Sequence, residues 1–170
     1  ESSWESEYLD ILLKEVERLN AVVEQYLSMT RSRKSKQKEV DINQAIREVL
    51  QLIRQPANEQ GVILDFREGD IPLVEGEQVQ LKQAFLNLAL NAIQAMSEGG
   101  HLHIETARDS HSLAISFTDD GPGLKTSDPE QIFTPFYTTR DKGTGLGLAI
   151  ARRIIEAHSG TIHALPVRPN

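Results

Sequence analysis

Three glycines at alternate positions, Gly143, Gly145 and Gly147, stand directly before an apolar run that reads as a helix. No other feature restricts the chain so strongly. Glycine admits a positive φ and lets another group come close to the main chain. A helix starting here presents unpaired N–H groups and the positive end of its dipole, which together suit an anion such as phosphate. The stretch TRDKGTGLGLAI has no Lys-Ser/Thr after its last glycine, so it is not a P-loop. Nor is its spacing that of the G-x-G-x-x-G dinucleotide fingerprint. At this level two readings stand: a Gly-rich loop capping a helix, or another kind of phosphate cradle.

Any polyphosphate must be held by local groups, because the 170-residue chain carries a net charge of -7. That balance argues against a nucleic-acid partner, which normally meets a basic face. With 39% apolar and 25% charged residues, the composition is that of a globular domain rather than a disordered chain. No apolar run approaches the roughly 18 residues of a membrane span, and no signal-peptide pattern opens the chain. It therefore reads as a cytoplasmic segment. The absence of cysteine rules out disulfides and thiolate metal sites.

Residues 7 to 30 carry Leu9, Leu12, Val16, Leu19, Val23 and Tyr26 at alternating spacings of three and four, which is a heptad seam. Ile11, Leu13, Val22 and Leu27 widen the stripe, so a four-helix bundle fits better than a two-stranded coil. Residues 31 to 39 hold five of the eighteen basic residues and read as a solvated linker. From residue 40 onward a second unit is expected. It opens with an amphipathic helix through Ile42, Ala45, Ile46, Val49, Leu50 and Ile53 that Pro56 interrupts or ends. A strand over 61 to 66 comes next, then a long helix pattern from Glu77 to Met96, stopped by Gly99 and Gly100. HLHIETA and LAISFTD alternate as two strands of a hairpin, 145 to 158 reads as a helix, and 161 to 165 as a short strand. This mixture predicts an α+β layer with helices on one face of a sheet.

Chemistry concentrates in three stretches. QAFLNLALNAIQA puts Asn87 and Asn91 four apart, on one face of a mainly apolar helix. Burying such amides costs free energy unless they are bonded. They bond each other or the backbone, or one offers its oxygen to Mg²⁺, a hard cation that shares phosphate ligands. SFTDDGPGLK ends a strand at Asp119 and continues through Gly121, Gly123 and Leu124, either an acidic turn or a carboxylate aimed at an exocyclic amine. IFTPFYTTRDKGTGLGL sets Phe133, Phe136 and Tyr137 before Arg140, Lys142 and the glycines. Its aromatics belong to the core or anchor a lid at its hinge.

In this order, N-L-x-x-N-A, D-x-G-x-G, F-x-x-F and G-T-G-L-G-L resemble the N, G1, F and G2 boxes of the histidine-kinase ATP-binding domain. That domain is part of the Bergerat superfamily, shared with gyrase, the ninety-kilodalton chaperone and mismatch-repair ATPases. The resemblance covers roughly residues 38 to 165 and is closest to sensor kinases of the nitrogen-regulation and sporulation type. EVERLNAVVEQYL, in the first helix, is similar to the second helix of the family's dimerisation and phosphotransfer hairpin. A Bergerat two-layer sandwich, preceded by that helix, is thus implied.

The resemblance implies that Asn91 ligates Mg²⁺ and that Asn87 lies beside the phosphates of ATP. Asp119 would bond the adenine amino group, with Gly121, Gly123 and Leu124 beside the base. Gly143, Thr144, Gly145, Leu146, Gly147 and Leu148 would line the triphosphate, and Phe133 and Phe136 would fix the lid. Arg140 and Lys142 stand where a cation reaches the γ-phosphate, an assignment made from charge and position. The implied partners are a second copy of the chain, joined through the N-terminal helix, and a response-regulator receiver domain. Nucleic acid is not implied, and membrane contact would come only through upstream segments.

Several residues depart from the family pattern. Many members carry Lys three residues after the magnesium Asn, where this chain has Gln94, so a lid residue would supply the charge. Asp120 replaces the Asn of Asp-Asn-Gly, and only nineteen residues separate Gly123 from Gly143. The end, TIHALPVRPN, lacks the further Gly-Thr turn and final strand usual in the family. None of His101, His103, His111, His158 and His163 has the His-Glu/Asp helical context of the family's phosphoacceptor. Transfer to a histidine outside this chain is therefore the expected reaction. In the hydrolytic relatives that the resemblance brings in, a Glu that activates water typically stands where this chain has Asn87, an amide that cannot act as a general base. A non-catalytic dimerisation and nucleotide-binding module is the remaining alternative.

Overall fold

The computed structural model describes residues 38–109, 112–124, 126–140 and 143–165. The expected first helix, most of the linker, His111 and Lys142 lie outside the described residues. The chain divides between Arg33 and Lys34, and all the described residues belong to the second unit. Strand β1 (Lys38–Val40) pairs antiparallel with β3 (Val74–Gly76). A three-stranded mixed sheet has the order β2 (Val62–Arg67), β4 (Gly100–Arg108), β5 (Leu113–Asp119). There β2 runs parallel to β4, with Val62 opposite Gly100, and β4 antiparallel to β5, with Leu102 opposite Asp119. Helices α1 (Ile42–Glu59), α2 (Gln78–Ala95) and α3 (Gly147–Ala157) complete the domain, with a 3-10 turn at Pro129–Phe133.

Period-2 burial on the strands explains the layering. On β4, Leu102, Ile104 and Thr106 are buried while His101, Ala107 and Arg108 are exposed. The inner face meets α1 and α2, whose buried stripes are Ile42, Ala45, Ile46, Val49, Ile53 and Ala57, and Leu81, Ala84, Phe85, Ala89, Ala92 and Ile93. Each fully buried Ile or Phe contributes about 1.5–3 kcal/mol of transfer free energy. Phe85 of α2 stacks on Phe117 of β5, ring centroids 6.1 Å apart. The outer face carries polar pairs: His103 Nδ1 lies 2.7 Å from Asp65 Oδ2, and His101 Nδ1 lies 2.9 Å from Asp120 Oδ2. The α+β architecture with helices on one sheet face is as the sequence predicts.

Four local expectations change. Pro56 lies inside α1 rather than ending it. Only one ladder bond is lost near the helix end, the freed carbonyl belongs to solvent-facing Leu52, and fully buried Ala57 ties the last turn to the core. Residues 161–165 form no strand. Their alternation survives as half-buried Ile162 and Ala164 between exposed neighbours, but alternation without a ladder partner is not a strand. Lys38 and Glu39, read as linker, pair with Gly76 and Glu75. Helix α3 begins at Gly147, two residues later than expected, because Gly145 takes a left-handed φ of 66°.

Candidate nucleotide site

Helix α2 carries Asn87 and Asn91 one turn apart, beside the start of α3. The Asn87 Nδ2 is buried and has no hydrogen-bond partner, an arrangement that costs about 1–3 kcal/mol when uncompensated. A Cβ placed on Gly147 would stand 3.9 Å from Asn87 Cβ and Cγ, so the first residue of α3 faces that amide. The orphan donor therefore lies next to a helix N-terminus, where anions are favoured. Leu146, the N-cap residue, is fully buried and fixes the entry to α3, while Leu148 is half-buried.

The two asparagines do not bond through Asn87 Nδ2. Asn91 instead takes up Arg140: Nη2 donates to Asn91 Oδ1 at 2.8 Å and to Asn91 O at 3.0 Å, and Nη1 donates to Gln94 Oε1. Burial pulls the guanidinium below its ordinary pKa, while arginine stays protonated. Its partners among the described residues are neutral oxygens on the last turns of α2. The negative end of that helix dipole supports a cation there. Sequence reasoning noted Gln94 for its lack of charge but not as the partner of Arg140; its place three residues after Asn91, on the same face, was the available signal.

Asp119 ends β5, and its Oδ1 accepts from Gly121 N at 2.9 Å. A Cβ on Gly121 would stand 2.5 Å from that oxygen, so the carboxylate packs onto bare backbone. Gly123 takes φ 74° with nothing within 4 Å of an added Cβ, and Leu124 beside it is exposed. Across the 3-10 turn Phe133 is buried, with the Arg152 guanidinium 4.8 Å from its ring centroid. Phe136 is the opposite case, 63% exposed with φ 67°. Its N–H donates to Gly145 O at 2.9 Å, and a Cβ on Gly145 would stand 2.5 Å from Phe136 C. This turn accordingly demands glycine in both space and conformation. Gly143 N donates to Arg140 O, and Thr144 Oγ1 accepts from Leu146 N at 3.4 Å.

Other features do not compete for the site. A hollow of about 510 Å³ is lined by Thr126, Asp128, Glu130 and Arg152, among others, but Glu130 already neutralises its arginine. His158 has a structural arrangement: its Nε2 accepts from Glu77 N at 2.9 Å and its Nδ1 lies 2.7 Å from Ile154 O. Among the described residues no cluster of three His, Asp or Glu could hold a metal. One amide oxygen beside a helix N-terminus fits Mg²⁺, which retains several waters and shares the oxygens of a phosphate ligand. No described helix is long and apolar enough to cross a membrane.

Residues 76–169 match the family described as histidine kinase-, DNA gyrase B- and HSP90-like ATPase. The chain belongs to that family. Within it, 153 residues are 39% identical to sensor histidine kinase ZraS of Escherichia coli K12, spanning 89% of this chain and 33% of ZraS. The nucleotide-free catalytic domain of histidine kinase ThkA matches with TM-score 0.65 and 34% identity, over 73% of this chain and 82% of that domain. ThkA in complex with response regulator TrrA matches with TM-score 0.77 and 30% identity, over 96% of this chain and 48% of ThkA. Full-length ShkA in complex with AMPPNP matches with TM-score 0.82 and 26% identity, over 93% of this chain and 35% of ShkA.

Proposed function

We propose that this chain is the ATP-binding catalytic part of a sensor histidine kinase that directs the γ-phosphoryl group of ATP to a histidine on a helix that is not part of this chain. The observation that carries the reading is the orphaned, buried Asn87 Nδ2 facing the start of α3, one turn from Asn91. An amide left unbonded at a helix N-terminus has a phosphate oxygen as its natural partner. Asn91 Oδ1 would hold Mg²⁺, whose charge would offset that of the phosphates.

Asp119 would accept from the adenine amine through its carboxylate, with Gly121 and Gly123 giving the base access and Leu124 covering it. The turn from Gly143 through Thr144, Gly145, Leu146, Gly147 and Leu148 would line the phosphates. Phe133 and Phe136 would hold the lid base, and Arg140 and Lys142 would bring positive charge. In the transfer, a histidine nitrogen bonds phosphorus as the bond to the ADP oxygen breaks, and the chain contributes placement and charge. Asn87 is an amide and cannot take a proton from water, which favours transfer over hydrolysis.

The complex of ThkA with a response regulator supports a receiver domain as the next acceptor. Residues 1–30 would pair two copies of the chain as part of the dimerisation hairpin, with 31–37 as linker and the catalytic domain starting at β1 (Lys38–Val40). The reaction would take place in the cytoplasm, any membrane attachment coming from upstream segments. Incubation with γ-labelled ATP, Mg²⁺ and a kinase-dead full-length partner tests the reading. Acid-labile label is expected on the partner and not on this chain, while ADP release without label transfer would replace the kinase reading with a hydrolytic one.

A further inference from the structure

The nucleotide-site reading casts Asn91 Oδ1 as the oxygen that holds a metal, yet that oxygen already accepts from Arg140 at 2.8 Å. The contact is a built dock. Three oxygens converge on the guanidinium, two from Asn91 and one from Gln94. The Arg140 backbone is held as well: its N–H donates to Thr138 Oγ1 at 3.1 Å, and its carbonyl accepts from Gly143 N at 3.2 Å. Neutral Gln94 makes the dock possible, since a lysine at that place would repel the guanidinium. A divalent cation on the same oxygen would meet a fixed positive charge in a partly dehydrated setting, where like charges repel strongly.

We propose that Arg140 and a divalent cation compete for Asn91 Oδ1, so that Arg140 sets how strongly nucleotide binding depends on the metal. Without metal, Arg140 supplies the positive charge beside the phosphates. With metal, it gives up Asn91, and the segment that carries it leaves α2. The inference rests on the nucleotide-site reading, and it makes Arg140 and Gln94 the residues that set metal dependence, with Gln94 acting by positioning Arg140.

The test is calorimetric titration of the full 170-residue chain with ADP, once in excess Mg²⁺ and once in EDTA. ADP lacks the γ-phosphate, so a role of Arg140 toward that group does not enter the readout. The quantity of interest is the ratio of Kd in EDTA to Kd in Mg²⁺. In Arg140→Gln this ratio should rise about ten-fold, within the 5–150-fold range usual for coupled sites, through weaker binding in EDTA and equal or tighter binding in Mg²⁺. Gln94→Met keeps Asn91 and Arg140 but removes one of the dock's acceptors, and should shift the ratio the same way by less. It also provides the measurement if Arg140→Gln fails to fold. Arg140→Lys should return the ratio toward the parent value. An unchanged or smaller ratio in Arg140→Gln and Gln94→Met, with ADP still bound, would overturn the competition alone. Absence of ADP binding in both solutions would overturn the nucleotide-site reading along with it.

Discussion

Two half-buried asparagines on two helices make an instructive pair. Asn43, in the first turn of α1, donates to Gly69 O at 3.0 Å and accepts from Thr106 Oγ1 at 2.7 Å, and Thr106 Oγ1 in turn accepts from Gly69 N at 2.9 Å. The network closes on itself and joins α1, β4 and the turn after β2. Asn87, midway along α2, also sits among apolar neighbours in sequence but leaves its buried Nδ2 without a partner. A satisfied amide holds a fold together, whereas an unsatisfied one weakens it and is open to a partner from outside the chain. The α1 side of the domain therefore reads as scaffold, and the side between α2 and α3 is where the proposed function puts the site.

The contrast is most exposed at Asn43. Asn43→Ala strands Gly69 O and removes the acceptor of the Thr106 hydroxyl, and should cost about 3 kcal/mol in urea unfolding, or roughly 10 °C in Tm. The ADP affinity of the folded variant should stay at the parent value. A loss of affinity as large as that of an Asn87 variant would erase the division into scaffold and site. A smaller effect on stability separates two glycines. Gly145→Ala meets both a clash with Phe136 backbone and a positive φ, whereas Gly123→Ala meets only the φ. We expect about 2 kcal/mol or more for the first and about 1 kcal/mol for the second, read from thermal melts. Equal costs would mean that the Gly145 turn relaxes freely.

Asn87→Ala should leave stability within about 1 kcal/mol of the parent, or raise it, because the orphan donor is gone. Its affinity for Mg-ADP should fall at least ten-fold, about 1.4 kcal/mol, visible as a diminished ligand-induced rise in Tm. A variant that melts early and binds normally would turn Asn87 into a second Asn43. The smallest effect concerns pH. Bonding to Arg152, with a contribution from His163, holds the Glu130 carboxyl below its ordinary value of 4.5. A folded-state pKa below the unfolded one stabilises above the unfolded value and is lost as pH falls through the folded one. The stability difference between parent and Glu130→Gln should thus be present at neutral pH and fade as pH drops below 4.5. A difference that persists in acid would assign Glu130 a role independent of its charge.

Period and length decide which elements are legible in the sequence. Helix α2 and the β4–β5 hairpin are long enough for one buried face to stand out, and the structure matches both. The β1–β3 pair escapes because three-residue strands carry no period, and each buries one residue only, Val40 and Gly76. Pro56 misleads because burial of Ala57 outweighs one lost bond. Residues 161–165 mislead in the other direction, since a ladder partner is invisible in a local pattern. At the site, spacing along α2 places Asn87 and Asn91 together, but the docking of Arg140 onto Asn91 joins residues 49 apart and depends on a fold no local pattern specifies. That Asn87 Nδ2 is unbonded is likewise a property of packing, not of residue type.

Phe136 carries a consequence in time rather than in affinity. A bulky side chain at φ 67° is roughly 1–2 kcal/mol above relaxed backbone, and the strain is held between the Phe133 anchor and the Gly145 turn. Any route away from this arrangement that lets Phe136 relax starts uphill by that amount, so its lifetime is shortened by a factor of several. Phe136→Gly removes the strain without touching Asn87, Asn91 or Asp119, and should lengthen the dwell time of the segment as measured by relaxation dispersion. Under the proposed function, Phe136 would thus act as a timer at the lid base, set by one residue in a conformation it does not prefer.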